Sequence, residues 1–178
     1  MLPAGVEWAV QDKQLGTGHA ARSAEVKLKD YTGPIAVLCG DVPLLKPATI
    51  ADLVARQEKD KAALVVLTAM VKGDHAYGRI VRDAAGNVLK IVENKDASAE
   101  EKKIQEINTG TYAFAAGKLF PSLAQLSNKN AQGEYYLTDT LGWYVNKGEK
   151  AVAVVAPKIE ECMGVNSPED LQAAEKLV

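Results

Sequence analysis

The sequence predicts an α/β fold in which helices cover a largely parallel sheet. Two short runs are apolar without interruption, IAVLC at residues 35–39 and AALVVLTA at residues 62–69. Such runs are typical of strands that are buried on both faces of a sheet. Between them, Pro47 opens PATIADLVARQEKD, in which apolar residues recur at helical spacing. A strand, a helix and a strand in this order form a βαβ unit, and such units build parallel sheets.

The segment before this unit is predicted as a further strand and helix. Residues 6–10 have the pattern of a strand, which leads into QLGTGH at residues 14–19 and then into a helix that continues through Leu28. Glycines at such a strand-to-helix junction permit a tight turn or the close approach of a ligand.

The segment after this unit is predicted as an antiparallel insertion. YGRIVRD and VLKIVE, within residues 77–93, alternate apolar and polar residues around a connection that contains Gly86. This pattern is typical of a hairpin with one face in water. Ser98 and Glu101 have the spacing of a capping box at the start of a short helix.

The remaining elements complete a mixed sheet. INTGTYAF at residues 107–114 and AVAVV at residues 151–155 are predicted strands, residues 119–126 and 135–145 are predicted helices, and Ser167 begins the last helix. We find no internal repeat and no low-complexity linker. Residues 1–178 are therefore expected to form one α/β domain with a mixed sheet.

Composition excludes several classes of partner. The chain is 47% apolar and 25% charged with a formal net charge of −2, so it carries no broad basic field for a nucleic acid or an anionic membrane. No apolar run has the length of a membrane span, and no export leader is recognised. Cys39 lies in an apolar run and is predicted to be a buried free thiol, which fits a reducing cytoplasm.

Asp41 is a candidate metal ligand. It follows the predicted strand at residues 35–39 directly, in GDVPLL, and would emerge at the carboxyl edge of the sheet, where open α/β folds bind ligands. A carboxylate there can hold Mg²⁺, which takes its other ligands from water and substrate phosphates. The alternative is that Asp41 only shapes a local turn or caps the helix that begins at Pro47.

Glu93 and Asn108 are candidates for hydrogen bonding to a sugar. Glu93 ends one strand of the predicted hairpin, and Asn108 begins the strand that follows. An acceptor and an amide placed together could bind sugar hydroxyls and an acetamido group. The spacing fits equally well a solvated Glu93 paired with Lys95 and an Asn108 in a turn.

For the GTG turn at residues 16–18 taken alone, a purely structural role is favoured.

Seven segments in one order carry a resemblance to a known family. They are QLGTGHA, GDVPLL, YGRI, IVENKDA, IQEINTGTYAF, NAQGEYYLTD and MGVNSPEDL. Together they resemble the pyrophosphorylase domain of the bifunctional N-acetylglucosamine-1-phosphate uridylyltransferase and glucosamine-1-phosphate acetyltransferase. The resemblance implies a Rossmann-like, three-layer mixed sheet of the nucleotide-diphospho-sugar transferase type.

The resemblance also implies a nucleotide site and a metal site. Gln11, Gly16 and Thr17 match the positions that line the uridine side of the site. Asp41 and Asn166 match the protein ligands of a catalytic Mg²⁺.

The sugar side of the site is implied in the same way. Gly78, Glu93 and Asn108 match the positions that hold N-acetylglucosamine. Cys39 lies at a position where family members vary, and it is given no catalytic role. The aromatic side chains within residues 134–139 are interpreted as packing in the fold rather than as contacting a ligand.

The implied reaction joins UTP and N-acetylglucosamine 1-phosphate to give UDP-N-acetylglucosamine and pyrophosphate. The family's first strand and its glycine-rich phosphate loop have no match in this sequence, so an N-terminally truncated domain with little activity of its own is expected. Self-association or a complementing N-terminal chain would cover the exposed region. The alternatives are a non-catalytic binding or interaction fragment, and the same chemistry on another nucleotide or sugar.

Overall fold

The computed structural model describes residues 5–73 and 75–177. Within these residues, six strands and six α-helices form, joined by short 3₁₀ turns at Glu101–Lys103 and Ile159–Cys162. The strands are β1 (Ile35–Val37), β2 (Leu64–Met70), β3 (Arg79–Arg82), β4 (Val88–Val92), β5 (Glu106–Phe114) and β6 (Ala151–Val155). The helices are α1 (Thr17–Ser23), α2 (Glu25–Leu28), α3 (Pro47–Asp60), α4 (Leu119–Leu123), α5 (Asp139–Asn146) and α6 (Pro168–Glu175).

All six strands belong to one mixed sheet with β5 at its centre. The order is β4-β3-β5-β2-β6, and β1 also pairs with β5. β2 runs antiparallel along one side of β5, while β3 meets the other side at Ile107 and β1 meets it at residues 112–114. β6 is parallel to β2. β1 and β2 are parallel to each other, as the βαβ pattern predicts, but β5 lies between them.

Helices cover both faces of the sheet, which makes three layers. β2 sends alternate side chains to opposite faces, as any strand does. Leu64 and Val66 pack in a cluster with Leu141 of α5, whereas Val65 packs in a second cluster with Leu53 of α3. The uninterrupted apolar sequence of β2 is explained by burial on both sides.

Several local predictions are confirmed. β3 and β4 form the predicted antiparallel hairpin. The capping box is present, since the backbone N–H of Ser98 donates to Glu101 Oε2 at 2.9 Å and the N–H of Glu101 donates to Ser98 Oγ at 3.2 Å. The Ser167 side chain accepts from the backbone N–H of Asp170 at the start of α6. Each of these features depends on neighbours in sequence, which explains why the sequence predicts them.

The predicted strand at residues 6–10 is wrong. These residues have no strand partner in the described part of the chain, and Trp8 and Val10 are 67% and 61% exposed. A strand needs a neighbour to satisfy its backbone N–H and C=O groups, so an alternating pattern alone does not make one. Glu7 is instead paired with Lys27 of α2 at 3.0 Å.

The prediction for residues 35–39 is wrong in its burial. The strand is shorter, Ile35–Val37, and within the described residues it pairs with β5 alone. Ala36 is exposed, and Cys39 is an exposed thiol rather than the predicted buried one. The run is apolar enough for a central strand, but among the described residues one edge of β1 has no strand partner and part of its surface is exposed.

The two helices predicted at residues 119–126 and 135–145 are shorter than expected. α4 ends at Leu123, and α5 begins only at Asp139. The second difference has a structural cause at Tyr135, whose backbone N–H donates to Leu15 O and whose carbonyl accepts from Gly18 N, each at 2.8 Å. In a helix that began at Tyr135, its carbonyl would accept from the N–H of Asp139, which donates instead to Tyr136 O. No helix of the described residues is both long and apolar enough to cross a bilayer.

Candidate active site

The QLGTGH turn is fastened to the segment before α5. Besides the two backbone bonds of Tyr135, the backbone N–H of Leu137 donates to the hydroxyl oxygen of Thr17 at 3.0 Å. The Thr17 side chain thus orders its neighbours although the residue is itself exposed, while Gln11 is half-buried beside the turn. This contact also shows that part of the NAQGEYYLTD segment packs against the QLGTGH turn.

Gly16 fits its position only because it lacks a side chain. Its backbone has φ 100° and ψ 176° at the residue before α1, a region that is essentially restricted to glycine. A Cβ there would lie 2.8 Å from both Glu134 Cβ and Tyr135 O. The structural explanation for this glycine is therefore correct, and it is compatible with the predicted ligand role.

Gln11 turns its amide toward this loop. Its Nε2 donates to Gly16 O at 3.2 Å and lies 3.1 Å from His19 Nδ1. Among the described residues no donor to its Oε1 is found, so that oxygen can accept a hydrogen bond from a ligand. Gln11 and Gly16 are therefore adjacent in space, as the sequence predicts, and Gln11 has an acceptor to offer a nucleobase.

Asp41 and Asn166 come together although they are far apart in sequence. A Cβ built on Gly164 would lie 3.2 Å from Asp41 Oδ2 and 3.1 Å from Asn166 Nδ2, so both side chains border one small space. The backbone N–H of Val165 donates to Asp41 O at 2.8 Å, which fastens the two segments to each other. Gly164 keeps this space open, because any larger residue would fill it.

The space between these two side chains suits a magnesium ion. In the described part of the chain, no group of three or more His, Cys, Asp or Glu side chains could hold a metal. An Asp and an Asn provide two oxygen ligands, and Mg²⁺ commonly takes its remaining ligands from water and substrate phosphates. The amide of Asn166 would present Oδ1 after a half-turn of its terminal torsion.

Gly78, Glu93 and Asn108 also meet in the structure. The backbone N–H of Asn108, in β5, donates to Gly78 O at 2.9 Å. A Cβ on Gly78 would lie 3.4 Å from Glu93 Oε2, just beyond the end of β4. The hairpin and β5 thus bring together the three residues predicted for the sugar.

Glu93 is a half-buried carboxyl group in an acidic neighbourhood. Burial raises its pKa, a hydrogen bond from the hydroxyl of Thr138 at 3.1 Å lowers it, and the nearby Asp139 and Asp96 raise it again. The alternative pairing with Lys95 does not occur, since Lys95 Nζ donates to Gln132 Oε1. Glu93 keeps Oε2 directed toward Gly78, where it can accept from a hydroxyl group.

The side-chain amide of Asn108 is fixed in orientation. Its Oδ1 accepts from the backbone N–H of Gly110 at 3.0 Å and from the hydroxyl of Tyr112 at 2.9 Å. Because both bonds need an acceptor, the amide nitrogen is the group left for a ligand. Burial raises the pKa of Tyr112 well above its usual value, so its hydroxyl remains a donor to Asn108.

Two supporting residues were not identified from the sequence. Thr138 holds Glu93, and its only sequence signal is its place in the LTD end of a family segment. The Cys39 thiol donates to Gly110 O at 3.5 Å, which joins the segment just before Asp41 to β5 close to Asn108. Neither contact could be inferred from spacing, because each joins distant segments.

Comparisons with known proteins identify the family of the chain. Residues 3–160 match the family model described as nucleotidyl transferase. The chain is 48% identical over 173 residues to bifunctional protein GlmU of Exiguobacterium sp. (strain ATCC BAA-1283 / AT1b), covering 97% of this chain and 38% of that protein. It is 45% identical over 170 residues to bifunctional protein GlmU of Pelobacter propionicus, covering 96% and 37%. The chain therefore spans well under half the length of these relatives.

A solved structure supports the fold independently. UDP-glucose pyrophosphorylase in complex with UDP-glucose superposes with a TM-score of 0.65 at 17% identity, covering 94% of this chain and 65% of that one. This similarity concerns the fold, which is an open mixed sheet of the nucleotide-diphospho-sugar transferase type. With the family model matching most of its residues, the chain belongs to the nucleotidyl transferase family.

Proposed function

We propose that this chain carries the site for transfer of UMP from UTP to N-acetylglucosamine 1-phosphate, giving UDP-N-acetylglucosamine and pyrophosphate. The observation that carries the proposal is the convergence of Asp41 with Asn166 around Gly164, since a carboxylate and an amide can provide oxygen ligands to Mg²⁺. The grouping of Gly78, Glu93 and Asn108 supports a sugar subsite. The seven-segment resemblance supports the choice of uridine and N-acetylglucosamine.

In the proposed reaction, a phosphate oxygen of the sugar phosphate attacks the α-phosphorus of UTP. A new P–O bond forms at the α-phosphorus, and the bond from that phosphorus to the oxygen bridging the β-phosphorus breaks. The electron pair leaves with pyrophosphate, and no covalent enzyme intermediate is required. Such transfers depend on positioning the reactants and on neutralising their charge.

Each residue group has a distinct role in this proposal. Gln11 Oε1 accepts from the nucleobase, and the backbone at Gly16 lets the nucleoside approach closely. Glu93 accepts from sugar hydroxyls, while the Asn108 amide nitrogen donates to the sugar. Asp41 and Asn166 would hold Mg²⁺, which when bound neutralises phosphate charge and orients the nucleotide.

We also propose that the chain associates through the open edge of β1. Within residues 5–73 and 75–177 this strand pairs only with β5, and Leu38 beside it is 45% exposed. An open edge offers unpaired N–H and C=O groups to another strand, from a second copy or from a separate chain. The two free thiols, Cys39 and Cys162, are compatible with a cytoplasmic location for this activity.

Ligand binding to the 178-residue chain tests the proposed function. With Mg²⁺ present, titration calorimetry should show tighter binding of UDP-N-acetylglucosamine than of UDP-glucose or a thymidine diphosphate sugar. Glu93→Ala should weaken UDP-N-acetylglucosamine binding roughly 10-fold or more while leaving UTP binding unchanged, because it removes a half-buried acceptor for the sugar alone. Glu58→Ala, which removes an exposed carboxylate of α3, is the matched control.

Two results would contradict the proposal. One is equal affinity for sugar nucleotides with different bases and sugars. The other is an equal loss of UTP and UDP-N-acetylglucosamine binding in Glu93→Ala, which would mean that Glu93 supports the whole domain rather than the sugar subsite.

A further inference from the structure

The segment that carries Asn166 also carries a buried carboxylate that the proposed reaction does not use. Glu161 is 6% exposed and belongs to the 3₁₀ turn Ile159–Cys162, shortly before Gly164 and Asn166. The hydroxyl of Thr49 donates to its Oε2 at 2.6 Å, and Lys46 Nζ lies 3.3 Å from its Oε1. Both carboxylate oxygens therefore have partners.

Those partners belong to the segment that carries Asp41. Lys46 immediately precedes α3, and Thr49 lies in its first turn, a few residues after Asp41. The α3 sequence provides no side-chain cap and no acidic residue in this first turn. A carboxylate at a helix N-terminus is stabilised by the free backbone N–H groups and by the helix dipole. Glu161 supplies this missing negative charge from a distant segment, and its pKa is lowered by the Thr49 hydrogen bond and by Lys46.

We propose that Glu161 is a positioning residue that fastens the Asn166 segment to the Asp41 segment and so sets the spacing of the two metal ligands. It would act together with the Val165 N–H to Asp41 O bond, which lies on the other side of Gly164. Partners that orient metal ligands without touching the metal commonly affect metal affinity 10- to 100-fold when they are changed. The inference rests on the proposed metal site at Asp41 and Asn166.

A role limited to capping α3 would have a different signature. Loss of a helix cap lowers the stability of the fold, but it leaves metal affinity unchanged in molecules that remain folded. Loss of the positioning contact lowers metal affinity in the folded molecules as well. Metal affinity measured below the unfolding transition therefore separates the two roles.

The experiment titrates Mn²⁺, as a paramagnetic substitute for Mg²⁺, into the chain saturated with UDP-N-acetylglucosamine. Free Mn²⁺ is counted from its electron paramagnetic resonance signal, and each thermal midpoint is measured by circular dichroism. The Mn²⁺ binding that is lost in Asp41→Asn is counted as binding at the proposed metal site. Glu161→Gln keeps the size of the side chain but removes its charge, and Thr49→Val removes the donor while preserving volume. Thr140→Val is the matched control, because it also deletes one buried hydroxyl bond, from Thr140 to Leu137 O at 2.7 Å, but in α5.

We expect Glu161→Gln and Thr49→Val to raise the Mn²⁺ dissociation constant roughly 10-fold or more. Thr140→Val should lower the thermal midpoint without changing that constant. If Glu161→Gln fails to fold, Thr49→Val decides the question alone. The positioning role would be overturned, and the proposed function left intact, by an Mn²⁺ dissociation constant at the Asp41 site that is unchanged in Thr49→Val and in any Glu161→Gln that folds. Wild-type binding that Asp41→Asn does not reduce would overturn the metal site and the positioning role together.

Discussion

Gly16→Ala is a direct test of the contact between the nucleotide loop and the segment before α5. The substitution adds a single methyl group at a position where two atoms, Glu134 Cβ and Tyr135 O, would lie 2.8 Å from it. It also requires alanine to adopt φ 100° and ψ 176°. The loop must therefore either carry the strain or move away from residues 134–137.

The expected loss of stability has two parts. A residue other than glycine in this backbone region costs about 1 to 3 kcal/mol. Inserting a methyl group where there is no space costs about 1 to 3 kcal/mol more. Gly148→Ala is the matched control, because Gly148 also has a positive φ, 71°, but nothing within 4 Å of its Cβ position. Only a backbone cost applies there, and it does not exceed the cost at Gly16, whose backbone lies in a region essentially restricted to glycine.

Urea unfolding at 25 °C and thermal unfolding measure this difference. Gly16→Ala should lose about 1 to 3 kcal/mol more than Gly148→Ala, which corresponds to a further drop of roughly 2 to 12 °C in midpoint for a domain of this size. Because the loop also presents Gln11, UTP binding should weaken in Gly16→Ala and remain unchanged in Gly148→Ala. Equal losses of stability in the two variants would refute the close contact that the structure has at Gly16.

Two further predictions concern charge and the open strand edge. Because burial raises the pKa of Glu93, its carboxyl group takes up a proton above the ordinary value of 4.5, and UDP-N-acetylglucosamine binding should weaken as the pH falls from 7 toward that value. Glu93→Gln should bind UDP-N-acetylglucosamine weakly and without this pH dependence. At pH 7 the variant should be no less stable than wild type, because a raised carboxyl pKa means that the charged form of Glu93 costs stability. A pH profile of binding that is the same in Glu93→Gln and in wild type would contradict this assignment. Leu38→Lys should reduce association through β1, measured as mass in solution by light scattering, because charge on an open edge opposes strand pairing; a mass that does not change with this variant would count against the edge as the interface.

The sequence by itself determined the elements whose causes are local. The apolar run of β2, the hairpin of β3 and β4, the helix that begins at Pro47 and the two caps at Ser98 and Ser167 all follow from neighbouring residues. Their periodicity and capping bonds act within a few positions, so they can be read without knowledge of the fold. Asp41 was identified as a candidate metal ligand from its place after a strand, spacing left Glu93 and Asn108 undecided, and the other site residues came from motif resemblance.

Only the tertiary structure decided which distant segments touch. It placed Asp41 beside Asn166 around Gly164, paired Glu93 with Thr138 rather than Lys95, and began the predicted helix of residues 135–145 only at Asp139. It also left residues 6–10 without a strand and Cys39 exposed, although both patterns favour the opposite. The physical reason is that the burial and the strand pairing of a residue depend on the segments packed against it as much as on the residue itself. A sequence pattern states what a segment can bury, and the packing of remote segments decides whether it is buried.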